Sequence, residues 1–306
     1  MNAIEIAGLY KQFSGKRMTK VEALKGIDLT ITAGEVFGFL GPNGAGKSTT
    51  IKLVMGLLRP TAGTAQIMGM DVSQAESRRH VGYLPENPAF YDYLSAEEYI
   101  AFVGSQFKIE SRLLAQRSEE VLKRLDLWEA RKRPMRGYSK GMVQRVGLAQ
   151  TLVHDPAIYI LDEPMSGLDP IGRALVKDII LDLKARGKCV FFSTHITDDV
   201  EKVCDRVGVI VKGSLVALDL VENILRSGVE GYVIHLQLPD TDTRSFAGIN
   251  LLRQTNSVSE FYVPCSSFNA FMGEVNRNGI DVILVETKRR DLEDFFLSLV
   301  HTNRES

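Results

Sequence analysis

Short apolar runs broken by turns open the chain: IEIAGLY from Ile4, GIDLTI from Gly26 and EVFGFLG from Glu35, each bounded by glycine or polar residues. Runs of this length and edge chemistry predict strands. From residue 94 to about 150 the texture changes. SAEEYIAFVGSQF, RSEEVLKRLDLW and GMVQRVGLAQTLV place apolar residues at helical spacing and predict a helical insertion. Apolar strands return at AIYILD, CVFFSTH and RVGVIVKG with helical segments between them, the pattern of a parallel sheet buried on both faces. Near residue 220 the pattern resets. YVIHLQL and EFYVPC read as strands, and SFNAFMGEVNRNG and DLEDFFLSLV as helices. In the last of these Leu292, Phe295, Phe296, Leu299 and Val300 form one apolar stripe.

This organisation predicts an α/β protein with a large domain over residues 1–222, its helical insertion at about 88–150, and a small C-terminal α/β accessory domain over 230–306. Composition leaves that picture in place. Apolar residues make up 44% and charged residues 25% of the 306, as in an ordinary globular protein. A net charge of −1 carries no footprint of a nucleic-acid partner, and the basic runs Arg131, Lys132, Arg133 with Arg136, and Lys288, Arg289, Arg290, read as solvated faces. Three widely spaced cysteines, Cys189, Cys204 and Cys265, form neither a disulfide framework nor a zinc pattern, which fits a reducing compartment. No apolar stretch reaches the ~18 residues of a membrane span, so a membrane role has to come through a partner.

The chemistry begins at Gly41. Gly41, Pro42, Asn43, Gly44, Ala45, Gly46, Lys47, Ser48 and Thr49 contain G-x-x-x-x-G-K-[ST] between a predicted strand and a predicted helix. Glycines let successive backbone N–H groups turn toward phosphate oxygens, and the following helix adds its positive N-terminal end. Lys47 is suited to the β- and γ-phosphates of ATP and the Ser48 hydroxyl to Mg2+. At the end of the apolar strand IYILD, Asp162 can reach the metal and Glu163 can take a proton from an attacking water. His195 closes the strand CVFFST, where a parallel sheet places ligand groups. The chain's second glycine-bearing helix start, GYSKGMVQR from Gly137, has no obvious role in a cleft that already holds a phosphate loop.

Taken in order, GPNGAGKST, VGYLPEN, YSKGMVQR, IYILDEP, SGLD and STH resemble the ATP-binding subunit of ABC transporters over residues 1 to about 220. The resemblance implies a P-loop NTPase with a parallel-sheet core, an antiparallel β subdomain and the helical insertion. It also implies ATP hydrolysis with Mg2+, a second ATP-binding subunit stacked head to tail, and a separate membrane permease that holds the chain at the cytoplasmic face. Glu163, His195 and Lys47 are then the catalytic residues, and Ser48, Glu86 and Asp162 the metal ligands. Phe13, with Tyr10 as the competing candidate, is the aromatic beside adenine. Ser139, Lys140, Gly141, Met142 and Asp169 would contact the ATP held by the partner.

Two departures stand out. The usual L-S-G-G-Q reads Tyr138, Ser139, Lys140, Gly141, Met142, which keeps the serine and the second glycine; Lys140 can face phosphate or solvent. Glu86 stands where the family has glutamine. Phe90, Tyr91 and Tyr93 follow it where the family docks a short helix of the permease, although buried packing explains them equally well. GYLPEN, YSKGMVQR and the C-terminal DLEDFFLSL resemble the ATPases of ABC-2 type exporters and that of nitrous oxide reductase maturation. An ABC-type ATPase of a soluble, non-transport machine and a small-molecule kinase are the competing readings. Paired ATPase domains, coiled coils or zinc sites would favour the first, but none is evident, and the second leaves Ser139, Gly141 and His195 without a task.

Overall fold

The computed structural model describes residues 1–14, 20–227, 229–238, 246, 248–255, 257–289 and 292–302. The chain folds as two compact units, Met1–Leu220 and Val221–Ser306. In chain order the first unit contains β1 (Asn2–Ser14), β2 (Lys20–Thr32), β3 (Val36–Leu40), α1 (Lys47–Val54), β4 (Ala62–Ile67), β5 (Met70–Asp71) and β6 (Val81–Leu84). It continues with α2 (Ala96–Gln106), α3 (Ser111–Arg124), α4 (Lys140–Leu152), β7 (Ile158–Asp162), α5 (Pro170–Ala185), β8 (Cys189–Thr194), α6 (Thr197–Val203), β9 (Arg206–Val211) and β10 (Ser214–Leu220).

Six strands form the central sheet in the order β10-β9-β3-β8-β7-β6. Every residue of β3, β7 and β8 is buried, which is why these strands read as unbroken apolar runs. The neighbours β9, β3, β8, β7 and β6 run parallel, while β10 returns antiparallel to β9 and makes the sheet mixed at that edge. Parallel strands bring their carboxyl ends to one side. The loop after β3, Asp162 at the end of β7, His195 after β8 and Glu86 after β6 therefore gather there.

A second, antiparallel sheet has the order β2-β1-β4-β5. In β2, Ile27, Leu29 and Ile31 are buried while Asp28, Thr30 and Thr32 are exposed, the alternation of a sheet with one face on the core. That core includes Phe37, Phe39 and Phe191. The Phe191 ring lies 5.9 Å from Phe37 and 5.7 Å from Phe39, each such pair contributing ~1 kcal/mol beyond its buried area. Helices α2, α3 and α4 pack on one another through buried residues such as Ile100, Leu122 and Val146. Arg131 stacks 3.6 Å over Trp128 and Arg133 lies 5.3 Å from the Tyr138 ring, so part of the first basic run is spent on aromatic faces.

The second unit contains α7 (Val221–Ser227), β11 (Val229–Leu236), β12 (Asn250–Thr255), β13 (Val258–Pro264), α8 (Phe268–Arg277), β14 (Val282–Arg289) and α9 (Leu292–Thr302). Its antiparallel sheet runs β12-β13-β11-β14. Phe271 and Val275 of α8 join Ile234, Leu236, Phe261 and Val263 in its own core. On α9, Leu292 and Val300 are buried and Phe295, Phe296 and Leu299 half-buried, as the stripe predicts. Arg290, at the end of the second basic run, lies outside the described residues. No helix among the described residues is long and apolar enough to cross a membrane.

Candidate functional site

The loop Gly41–Gly46 leaves β3 and enters α1 directly, so its backbone has to turn within a few residues. Gly46 makes that turn at φ 114°, and a methyl group on it would fall 2.8 Å from the Ala23 carbonyl oxygen. Only glycine meets both conditions. The loop and the start of α1 line a cleft through Asn43, Gly44, Gly46, Lys47, Ser48 and Thr49, closed by Ala23, Glu86 and Glu163.

Lys47 is buried, and its ammonium donates to the carbonyls of Gly41 at 2.7 Å and Pro42 at 3.3 Å. It also pairs with Glu163 Oε1 at 3.2 Å. The other carboxylate oxygen of Glu163 lies 3.0 Å from His195 Nδ1. Because a carboxylate only accepts, Nδ1 carries the proton, and Nε2 is the ring nitrogen left for a ligand. Glu163 is thus held at both oxygens, by an ammonium and by an imidazole.

Glu163 also has an unusual backbone. Its φ is 50°, in the left-handed region that non-glycine residues enter at a cost of about 1–2 kcal/mol. The surroundings fix it there: Glu163 N donates to Ser193 Oγ at 2.9 Å, and its carbonyl accepts from Ser166 N at 3.0 Å. Ser193 in turn donates to Asp162 Oδ1 at 2.6 Å, and the Ser48 hydroxyl donates to the same oxygen at 3.1 Å. Burial raises the Asp162 pKa, the two serine hydroxyls lower it, and the negative charges of Glu86 and Glu163 raise it again, for a net upward shift.

A buried acid pushed toward its neutral form, beside a hydroxyl and two further carboxylates, is a place that a cation would relieve. Among the described residues no group of three or more His, Cys, Asp or Glu forms a metal cage. Mg2+ takes one or two protein oxygens and fills its shell with water and substrate phosphates. Ser48, Asp162 and Glu86 are the oxygens present for it.

The other candidates lie elsewhere. Phe13 sits on β1, is 37% exposed with Lys11 Nζ 4.9 Å from its ring, and is not among the residues lining the cleft. Tyr10 is engaged by Glu22 at 2.7 Å. Ser139 caps α4, and its Oγ accepts from Met142 N at 3.2 Å, which leaves the hydroxyl hydrogen free to donate. Ser139 and Lys140 are exposed and Gly141 half-exposed, at a helix N-terminus apart from the cleft lining. Asp169 caps α5 through Gly172 N at 2.7 Å. Phe90 packs on Tyr99 with ring centroids 4.7 Å apart, whereas Tyr91 and Tyr93 are exposed.

The sequence reading overlooked Ser193 and Gln144. Both are buried, and their partners are groups that only the fold brings close.

The sequence profile of the family described as ABC transporter matches residues 24–166. An uncharacterized ABC transporter ATP-binding protein of Nostoc sp. is 40% identical over 92% of this chain and 84% of its own length. The chain belongs to the ATP-binding subunits of ABC transporters. It hydrolyses ATP as the motor subunit of such a transporter. The daunorubicin/doxorubicin resistance ATP-binding protein of Streptomyces peucetius is 32% identical over 97% of this chain and 92% of its own. A solved ATP-binding subunit of an ABC transporter superposes with a TM-score of 0.67 at 29% identity, covering 74% of this chain and 92% of that one.

Proposed function

We propose that this ATP-binding subunit works as a head-to-tail dimer on a separate membrane permease, and that the assembly is an exporter. The observation that carries the dimer is the division of the phosphate-binding groups. Lys47, Ser48 and Glu163 line one cleft, while Ser139 and Gly141 present a hydroxyl and a helix N-terminus on an open surface outside it. A second copy turned through a two-fold axis brings each surface to the other's cleft. Residues 1–222 form the ATP-binding domain and 230–306 the accessory domain in this reading.

Each residue then has a task. The N–H groups of Gly41–Thr49 and the Lys47 ammonium bind the β- and γ-phosphates. Ser48, Asp162 and Glu86 hold Mg2+, which when bound neutralises charge on the phosphate oxygens. Glu163 accepts a proton from the attacking water, and His195 orients Glu163 through Nδ1 and offers Nε2 to the γ-phosphate. Ser139 and Gly141 bind that phosphate from across the dimer, with Lys140, Met142 and Asp169 beside it. Phe13 serves adenine from β1.

The exporter reading is supported by similarity to the Streptomyces drug-resistance protein over nearly the whole chain, the C-terminal unit included. Exposed Tyr91 and Tyr93, with rings 5.8 Å apart, suit the docking of an apolar permease segment. Capture of tagged Glu163→Gln chain from native membranes in detergent with ATP tests this. A multi-span membrane protein recovered in equal amount is expected; recovery of soluble partners alone would transfer the chain to a non-transport machine.

A further inference from the structure

Helix α4 and the loop after Glu163 are joined by three contacts within one chain. Gln144, buried at 4% exposure, donates through Nε2 to the carbonyl of Pro164 at 3.2 Å and lies 3.5 Å from that of Glu163. Gly141 faces Leu168, whose Cδ2 would lie 3.5 Å from a methyl group placed on the glycine. Lys140 lies across Gly167, where an added methyl group would fall 2.7 Å from Lys140 Cε. Lys140, Gly141 and Gln144 therefore rest against Gly167, Leu168 and the Glu163–Pro164 carbonyls.

We infer that Gln144 is a positioning residue that transmits the engagement of α4 to the backbone of Glu163. The inference rests on the two-site reading above, because it gives the joint something to connect. Ser139 and Gly141 serve the partner's ATP, whereas Glu163 serves the chain's own, so the Gln144 amide bridges the two composite sites. Glu163 is held at an unfavourable φ by hydrogen bonds to its peptide groups, and one of the groups within reach is the amide of α4. A strained position answers to small changes in what holds it. When phosphate draws on the start of α4, Gln144 adjusts the Glu163–Pro164 carbonyls and with them the direction of the carboxylate. Gln144 itself touches no substrate; it acts through Glu163.

Gln144→Met keeps the length of the side chain and removes the donor. Loss of one buried hydrogen bond to the base's backbone is expected to lower kcat by about tenfold. The Kd for ATP binding at the P-loop should stay the same, and the Hill coefficient for ATP hydrolysis should fall toward one. A merely structural glutamine would lower the melting temperature without changing the Hill coefficient, and that result, or an unchanged kcat, overturns the inference. Glu163→Gln is assayed alongside. If it retains hydrolysis, the assignment of the base is at fault; if it is inactive while Gln144→Met behaves as wild type, only the joint is.

A second measurement keeps Gln144 in place. In mixed dimers of wild-type chain and Lys47→Ala chain, ATP held by the wild-type P-loop meets the variant's α4. Amide exchange at Glu163, Met165 and Ser166 of the Lys47→Ala chain should slow on adding ATP. Unchanged exchange there, with ATP bound to the partner, contradicts the transmission.

Discussion

Asp162 shows how a residue placed for function lowers stability. Its carboxyl is buried, receives two serine hydroxyls and faces two other carboxylates, and the net effect raises its pKa above the ordinary carboxylate value. The sign for stability follows. A carboxyl whose folded pKa is raised above its unfolded value contributes fully below the unfolded value and loses that contribution as pH rises through the folded one. At neutral pH without magnesium, Asp162→Asn should therefore melt higher than wild type, by roughly 2–4 °C for each kcal/mol recovered in a domain of this size. The difference should shrink as the solution is taken toward pH ~4, while magnesium-dependent ATP hydrolysis is lost throughout. A variant that melts lower at pH 7 would show that the two serines, not the burial, decide the carboxyl's state. Thermal scans across pH settle it. For Glu163→Gln the expectation is ATP binding as in wild type with turnover reduced ~10²–10⁴-fold, read in single-turnover hydrolysis.

At the scale of elements, α2 is entered through a reciprocal cap. Ser95 Oγ accepts from Glu98 N at 3.3 Å while Glu98 Oε2 accepts from Ser95 N at 2.8 Å. Ser95→Ala should cost ~1 kcal/mol in denaturant unfolding and leave nucleotide affinity alone, since neither group lines the cleft. A loss of ATP affinity would show that the helical insertion is coupled to the P-loop more tightly than its packing indicates. Elements with a strong pattern were legible beforehand. The all-buried β3, β7 and β8 read as apolar runs, and α2, α3 and α4 as helical stripes. Strands with weak patterns were not: β4, AGTAQI, carries few strand-forming side chains, and β12, NLLRQT, is exposed at every residue. Such strands form because a neighbour offers a free edge, which local sequence does not encode. The antiparallel β10, SLVALDL, is an apolar run at the sheet edge that is half-buried or exposed throughout. Within the cleft, Lys47, Ser48 and Glu163 could be named from motif spacing, and Glu86 from the family resemblance. Ser193 and Gln144 could not, because their roles depend on backbone groups brought close by the fold.

In the proposed assembly the whole molecule is half of a machine. One chain supplies a phosphate cleft with its acid, base and histidine, and separately a capped helix start whose hydroxyl hydrogen is unspent. Two chains placed head to tail would make two complete sites, and closure of the pair on ATP would be the motion a permease can use, since only binding that differs between open and closed states shifts them. The most direct test is complementation. Lys47→Ala chain and Ser139→Ala chain, each inactive alone, are mixed and assayed for ATP hydrolysis. In a mixed dimer one site combines both lesions, while the other combines an intact P-loop with an intact α4. Recovery of up to about half the wild-type rate per mixed dimer is expected. Complete absence of recovery in dimers shown to be mixed, or full activity of the Ser139→Ala chain by itself, would contradict a site shared between two chains.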